Sequence, residues 1–379
     1  MKKAFLLCGI VLIGCSEKKV QVEANVSSTV IPQKETIVDG LSRAWSMAFL
    51  SEEEILLSEK DGDLLRINLR NKEKHVIKGF PKDRMDTLLY RKADYEPGVF
   101  PHRMADGVKE TFNAGIFEVL LDPEFPTNSY IYVSYVSKGE GGSTTKVIRA
   151  KLEKDSLTNV EELLLALPYS HGMYHYGGGM TFGSDGKLYV TIGERLFNED
   201  NQPEIPIAQD VSDRRGKIYR INPDGSIPKD NPDFGPDAVP GLYATGIRAA
   251  QGITVEPETG KIWFSEHGTN QGDEINKLTK GANYGWPVIT TGKYRGDKFK
   301  PVKVEGTVYT DPKWFWLQTV APTGLMFYTG DEFPTWKNNL IVPGLSRGSL
   351  WRIRLRGETV KSMEELFIDN RERSRKAVQ

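Results

Sequence analysis

The chain has 379 residues, with 50 Lys and Arg against 51 Asp and Glu and a formal net charge of −1. That balance supplies no basic surface for a nucleic-acid partner. The only two cysteines, Cys8 and Cys15, lie near the start, so a body stapled by disulfides is excluded.

Met1-Lys2-Lys3 is a short basic start and Ala4 to Ile13 an apolar run. A membrane-spanning helix needs roughly 20 apolar residues; this shorter run fits the core of a signal peptide. Leu12-Ile13-Gly14-Cys15 resembles a lipobox, the motif whose Cys receives a lipid. The expectation is a lipoprotein signal peptide over 1–14, with anchoring to the membrane through Cys15 alone. Ser16 in place of Asp points to the outer membrane of a Gram-negative cell, with the folded part facing the periplasm. Residues 15–35 are polar and without period, and read as the lipidated Cys and a flexible tether. The domain is expected over 36–379, with no second long apolar run.

From there the chain repeats. Second strands of successive units read Ile55 to Glu59, Ile131 to Tyr135, Leu188 to Ile192, Ile262 to Glu266 and Leu340 to Pro343. Third strands read Leu64 to Ile67, Val147 to Ala150, Lys217 to Ile221, Glu274 to Leu278 and Leu350 to Arg354. Turn residues such as Asp185-Gly186 separate them. First strands anchored at Phe49, Leu121, Phe182, Val255 and Phe327 are spaced by 72, 61, 73 and 72 residues. Units this long, each holding several strands, predict the blades of a β-propeller rather than a sandwich. Val160 to Leu167 alone has helical periodicity.

Several stretches resemble the glucose/sorbosone dehydrogenase family, the soluble quinoprotein aldose dehydrogenases. They include Trp45-Ser46-Met47-Ala48-Phe49, Asp122-Pro123-Glu124-Phe125 and Asp185 to Glu194. The longest run through Gly216 to Pro228, Glu266-His267-Gly268, Gly272 to Asn276 and Gly281 to Pro287, closing with Ala321 to Leu325. The resemblance spans about 36 to 373. It implies an all-β, six-bladed propeller and oxidation of an aldose at its anomeric carbon, to a lactone, with pyrroloquinoline quinone (PQQ) and calcium. A cofactor of this kind carries the redox step while the protein positions, polarises and deprotonates.

By position in the resemblance, the catalytic residues are His175, Arg248 and Asp273. His175 is the general base; Arg248, with the calcium near Gly268, would stabilise the reduced quinone; Asp273 lies in the Glu-His-Gly loop and would shape the site's charge. Asn113, Arg248, His267, Arg371 and Arg373 are implied at the cofactor, whose three carboxylates suit arginine forks. Carbonyls of Gly268 and Thr269 are implied for the cofactor's calcium, and Glu274 with Tyr284 for a second, structural calcium; such oxygens suit that ion. The chain departs from the family pattern at Ala249 and Ala250, at Asn113, at Ser346 and at Gly179. These losses keep open a second reading: a non-catalytic propeller that binds a carbohydrate or a protein. With no Cys-x-x-Cys-His for a fused haem, the electron acceptor is expected to be a separate molecule. Five units are visible for six blades. Thr36 to Leu41 is expected to give an outer strand to a closing blade that otherwise lacks its inner strands, leaving a notch beside Arg371 and Arg373.

Overall fold

Each unit read from the sequence folds as one antiparallel sheet, because its alternating side chains need cover on both faces and a neighbouring sheet supplies it. The computed structural model describes residues 32–60, 62–85, 88–89, 109–110, 114–346, 348–368 and 372–379. The leader, Cys15, most of the tether, Asn113 and Arg371 lie outside the described residues.

The first blade is β1 (Ala44–Phe49), β2 (Glu54–Glu59), β3 (Leu64–Asn68) and β4 (Lys74–Val76). A short pair, β5 (Leu88–Leu89) and β6 (Lys109–Glu110), follows it. The second blade is β7 (Ile116–Leu121), β8 (Tyr130–Gly139), β9 (Gly142–Glu153) and β10 (Ser156–Leu165). The third is β11 (Gly177–Phe182), β12 (Leu188–Ile192), β13 (Lys217–Ile221) and β14 (Leu242–Ala244). The fourth is β15 (Ala250–Val255), β16 (Ile262–Glu266), β17 (Asp273–Lys277) and β18 (Trp314–Trp316). The fifth is β19 (Met326–Phe327), β20 (Leu340–Pro343), β21 (Leu350–Arg356) and β22 (Thr359–Leu366). Strands pair in chain order within every blade. The five anchors Phe49, Leu121, Phe182, Val255 and Phe327 each end the innermost strand of their blade.

Neighbouring blades are latched by one repeated hydrogen bond. Ser58 Oγ donates to the Phe117 carbonyl at 2.5 Å, and Ser134 Oγ to the Gly178 carbonyl at 2.6 Å. Thr191 Oγ1 donates to the Ala250 carbonyl at 3.1 Å, and Ser265 Oγ to the Thr323 carbonyl at 2.7 Å. Each donor is the fourth residue of the second-strand repeat and is fully buried, where an unmade bond would cost about 1–3 kcal/mol. The fifth blade has Pro343 at that register, and proline has no donor to offer.

The expected six blades are therefore five among the described residues. At the sixth position Thr36 to Leu41 forms no strand; Val38 and Leu41 instead pack on Ile55, Leu57, Leu65 and Ile67 of the first blade. The end of the chain does the closing. Gly324 N donates to the Arg375 carbonyl at 3.1 Å and Ala377 N to the Gly324 carbonyl at 3.3 Å, a parallel bridge beside the fifth blade. Across the gap, Lys376 Nζ meets Glu118 Oε2 of β7 at 2.9 Å, and the Arg375 guanidinium lies 3.5 Å from the Trp45 ring of β1. The notch expected beside Arg373 is thus filled at the axis by one docked strand-like segment.

The helical period over Val160 to Leu167 also gives way, because this segment is mostly β10. Register shifts between Thr158 and Glu161 and between Glu162 and Leu164 break the two-residue alternation. Arg149 with Glu161 and Lys146 with Glu162 then pair across the strands.

Candidate active site

A cavity of about 290 Å³ opens at the axis, lined among others by Trp45, Tyr174, His175, Phe197, Arg248, His267, Arg295, Arg373 and Arg375. Its residues come from the loops where blades begin or end, so five blades and the tail each contribute to the wall.

His175 precedes β11 in a left-handed backbone conformation, φ 53°, which is costly for a residue with a side chain and is kept only where surroundings enforce it. Arg195 enforces it. Its buried guanidinium donates to the carbonyls of Tyr174 and Gly172 and to Ser143 Oγ at 3.2 Å, and sits 3.3 Å from the Tyr176 ring. Gly193 allows the close approach: a Cβ there would lie 1.9 Å from the His175 carbonyl. The glycines after His175 serve packing more than the cofactor. Only Gly177 lines the cavity, and a Cβ on Gly179 would meet the Gln251 carbonyl at 2.7 Å, so the arginine usual in the family has no room here.

His175 Nδ1 is buried without a hydrogen-bond partner, 3.7 Å from Glu194 Oε1. Burial, then the charges of Arg248 and Arg295, hold its pKa well below the usual value, so the ring is neutral and an imidazolium here needs a nearby negative charge. Glu194, whose Oε2 accepts from Gln202 Nε2 at 2.7 Å, is pushed up to about 7 by burial, with Arg248 opposing. Glu194 closes a motif, Asp185 to Glu194, that assigns it no role; its place just after β12, next to the histidine loop, is what makes it a partner.

Arg248 Nη1 donates to the Gly268 carbonyl at 2.6 Å and to the His267 carbonyl at 3.2 Å, while Nε and Nη2 are buried with no partner. Burial, then Arg295, lowers its pKa to about 10. His267 Nε2 donates to the Pro322 carbonyl at 2.9 Å, and burial takes its pKa down to about 4. Asp273 was expected among the catalytic residues. Its carboxylate is consumed by backbone: Oδ1 accepts from Gly268 N at 2.9 Å and Oδ2 from Val320 N and Ala321 N, each at 2.7 Å. It is a positioning residue that fixes the Gly268 loop against the start of the fifth blade.

The implied metal ligands separate into two places. Gly268 gives its carbonyl to Arg248, and Thr269 Oγ1 donates to Glu199 Oε1 at 2.7 Å. Glu274 and Tyr284 do meet, around a smaller cavity of about 20 Å³ also lined by Glu266. That volume is about that of one small occupant. The Tyr284 hydroxyl is spent on the 277–279 turn, donating to the Lys277 carbonyl at 2.6 Å. Glu266 and Glu274 face each other as a cross-strand pair, a repulsive arrangement unless a proton or a cation intervenes. Burial, then Glu274, raises Glu266 to about 8. Among the described residues no cluster of three or more His, Cys, Asp or Glu could hold a metal, so an ion here would need oxygens beyond the two carboxylates.

Of the late arginine pair, Arg373 lines the cavity, and Arg375, which stands outside that motif, lines it too. Arg375 is lowered to about 9 by burial and then by Arg373. Among the described residues Arg248, Arg295, Arg373 and Arg375 have no carboxylate oxygen within 4.0 Å. Four guanidinium groups around one cavity, none in a direct ion pair among the described residues, make a receptor for anions.

A ring of blades whose axis carries a buried histidine and this arginine set is a β-propeller with a built polar site. Residues 41–379 match the family described as Glucose / Sorbosone dehydrogenase, and the chain belongs to that family. It is 29% identical over 350 residues to the aldose sugar dehydrogenase YliI of Escherichia coli, covering 90% of this chain and 85% of that one. It is 29% identical over 395 residues to quinoprotein glucose dehydrogenase B of Acinetobacter calcoaceticus, covering 85% and 77%. A crystal structure of a glucose dehydrogenase superposes with a TM-score of 0.76 at 29% identity, covering 91% and 92%. The chain is thus an enzyme of the sugar dehydrogenase kind, and the non-catalytic alternative is set aside.

Proposed function

We propose that the axial cavity binds PQQ and that the enzyme oxidises an aldose at its anomeric carbon to the lactone. The carrying observation is the set of four arginines without carboxylate partners around a cavity that also holds His175. A tricarboxylate fits this donor set, and the partnerless Nε and Nη2 of Arg248 are the buried groups most in need of it. Bound PQQ supplies the two-electron acceptor to which the C1 hydrogen passes as hydride.

The chain's own residues do the rest. His175 takes the proton of the C1 hydroxyl, and Glu194 stabilises the imidazolium that results. Arg248, Arg373 and Arg375 would hold the carboxylates of the cofactor and would offset negative charge within the cavity. Asp273 keeps the Gly268 loop in place. A separate acceptor takes the electrons on. Calcium is proposed at the Glu266–Glu274 pair, whose oxygens suit a hard cation; a second ion at Gly268 and Thr269 requires Arg248 Nη1 to leave the Gly268 carbonyl. The folded part is proposed to face the periplasm, held by a lipid on Cys15.

The test is an absorbance titration with PQQ in the presence of calcium, followed by dye reduction with a panel of aldoses. Saturable uptake with sugar-dependent turnover is expected; no uptake of PQQ overturns the reading.

A further inference from the structure

Three carboxylates leave one of the four arginines over, and the geometry singles out which. Arg373 and Arg375 ride on the tail beside Leu345 and Trp45. Arg248 is tied to the Gly268 loop. Arg295 stands on another wall, its guanidinium 4.6 Å from the Phe197 ring and Nη1 3.5 Å from Thr269 Oγ1. Phe197 packs on Tyr174 with ring centroids 4.8 Å apart, and Tyr174 lies 6.3 Å from the His175 ring. An aromatic wall therefore runs from the proposed base to a cation.

The acid beside Arg295, Glu199, is occupied. Glu199 Oε2 accepts from the backbone N–H groups of Arg295 at 2.7 Å and Gly296 at 2.8 Å, and Oε1 accepts from Thr269 Oγ1 at 2.7 Å. It fixes where the arginine's backbone sits and leaves the guanidinium without a carboxylate within 4.0 Å among the described residues. Glu199 and Asp273 act on this part-buried cation without a direct ion pair, so an anion arriving with a ligand would be its first direct partner. Aromatic rings accept the apolar face of a sugar, and a guanidinium fork at the far end suits a carboxylate or a phosphate.

We propose that Arg295 is a specificity residue that selects an anionic aldose, one bearing a carboxylate or phosphate remote from C1. This rests on the PQQ-dependent reading of the same site. The experiment compares the enzyme with Arg295→Gln, in PQQ uptake and in dye reduction with glucose, glucuronate and glucose 6-phosphate. For the enzyme, kcat/KM with one of the two anionic sugars is expected to exceed that with glucose by about tenfold or more; which one it is identifies the charged group. In Arg295→Gln that ratio is expected to fall about tenfold, mainly through KM, with PQQ affinity retained. A preference for glucose, an unchanged ratio in the variant, or loss of PQQ affinity in the variant overturns the proposal. If neither protein takes up PQQ, the dehydrogenase reading fails separately. Calorimetric titration of the three sugars into the cofactor-free proteins then decides: tighter binding of an anion, weakened in Arg295→Gln, supports the role, and equal binding overturns it.

Discussion

His175 Nδ1 stands 3.7 Å from Glu194 Oε1, with both side chains withdrawn from solvent. That is beyond a hydrogen bond, and contacts of this kind tighten when substrate is bound. His175→Gln is expected to lower turnover by about 10²–10⁴ while PQQ still titrates. Single-turnover dye reduction measures it, and activity within a few-fold of the parent moves the base elsewhere, His267 first.

The pH dependence follows from the same pair. His175 is held well below its usual pKa, so it is neutral throughout the neutral range. Glu194 is raised to about 7, so it gains its charge as pH rises through that value. Only the ionised form supports an imidazolium. Turnover should therefore climb between about pH 6 and 8, and Glu194→Gln should lower and flatten the profile. A flat profile in the parent removes Glu194 from the mechanism.

Stability should run the other way. Glu266 is raised from 4.5 to about 8, so its contribution is full below 4.5 and is lost as pH rises through 8. Glu274 is shifted in the same direction by its burial. Calcium at the pair would counter the loss, so it should raise Tm more at alkaline than at mildly acidic pH. Glu274→Gln should abolish that difference; a Tm indifferent to calcium and chelator at every pH counts against an ion there.

The tail can be loosened without touching the cavity. Lys376→Met leaves Glu118 with only the Ser46 hydroxyl, 2.5 Å from Oε1. Removing one partner of a largely buried pair costs about 2 kcal/mol or more, read as a Tm lower by several degrees. PQQ affinity should fall as well, since Arg373 and Arg375 sit on the same segment. An unchanged affinity would separate the tail from the cofactor site.

The anchoring proposal is checked by fractionation. Cys15→Ala should move the protein from membrane to soluble fractions or leave an unprocessed precursor, visible by mass. Stable attachment relies on several acyl chains, as one binds only marginally.

The repeat was legible because period-2 strands, turn residues and anchor spacing all pointed the same way, down to the last residue of each inner strand. Ring closure was not: the pairing of Gly324 with the 375–377 segment joins distant residues, and Ser374 to Gln379 has no strand pattern of its own. The bulges of β10 disguised a strand as a helix. In the site, His175, Arg248 and His267 stood in motifs with roles attached, whereas Glu194 and Glu266 take theirs from a neighbouring strand or loop of the same blade and Arg375 from Trp45 of the first blade. Arg295 lies in a long connection without a motif, and nothing local distinguishes it from a solvated arginine.

Pro343 in place of a hydroxyl gives the ring a weak seam. Four blade junctions carry a buried latch, while the fifth is joined to the first through the tail, which is bonded along the fifth blade but reaches the first two blades through two cationic contacts. Under rising denaturant that junction should yield before the others. It is also the wall that presents Arg373 and Arg375. Ligand binding should thus disappear at a lower denaturant concentration than the β signal, making the enzyme go silent while most of its blades are still standing.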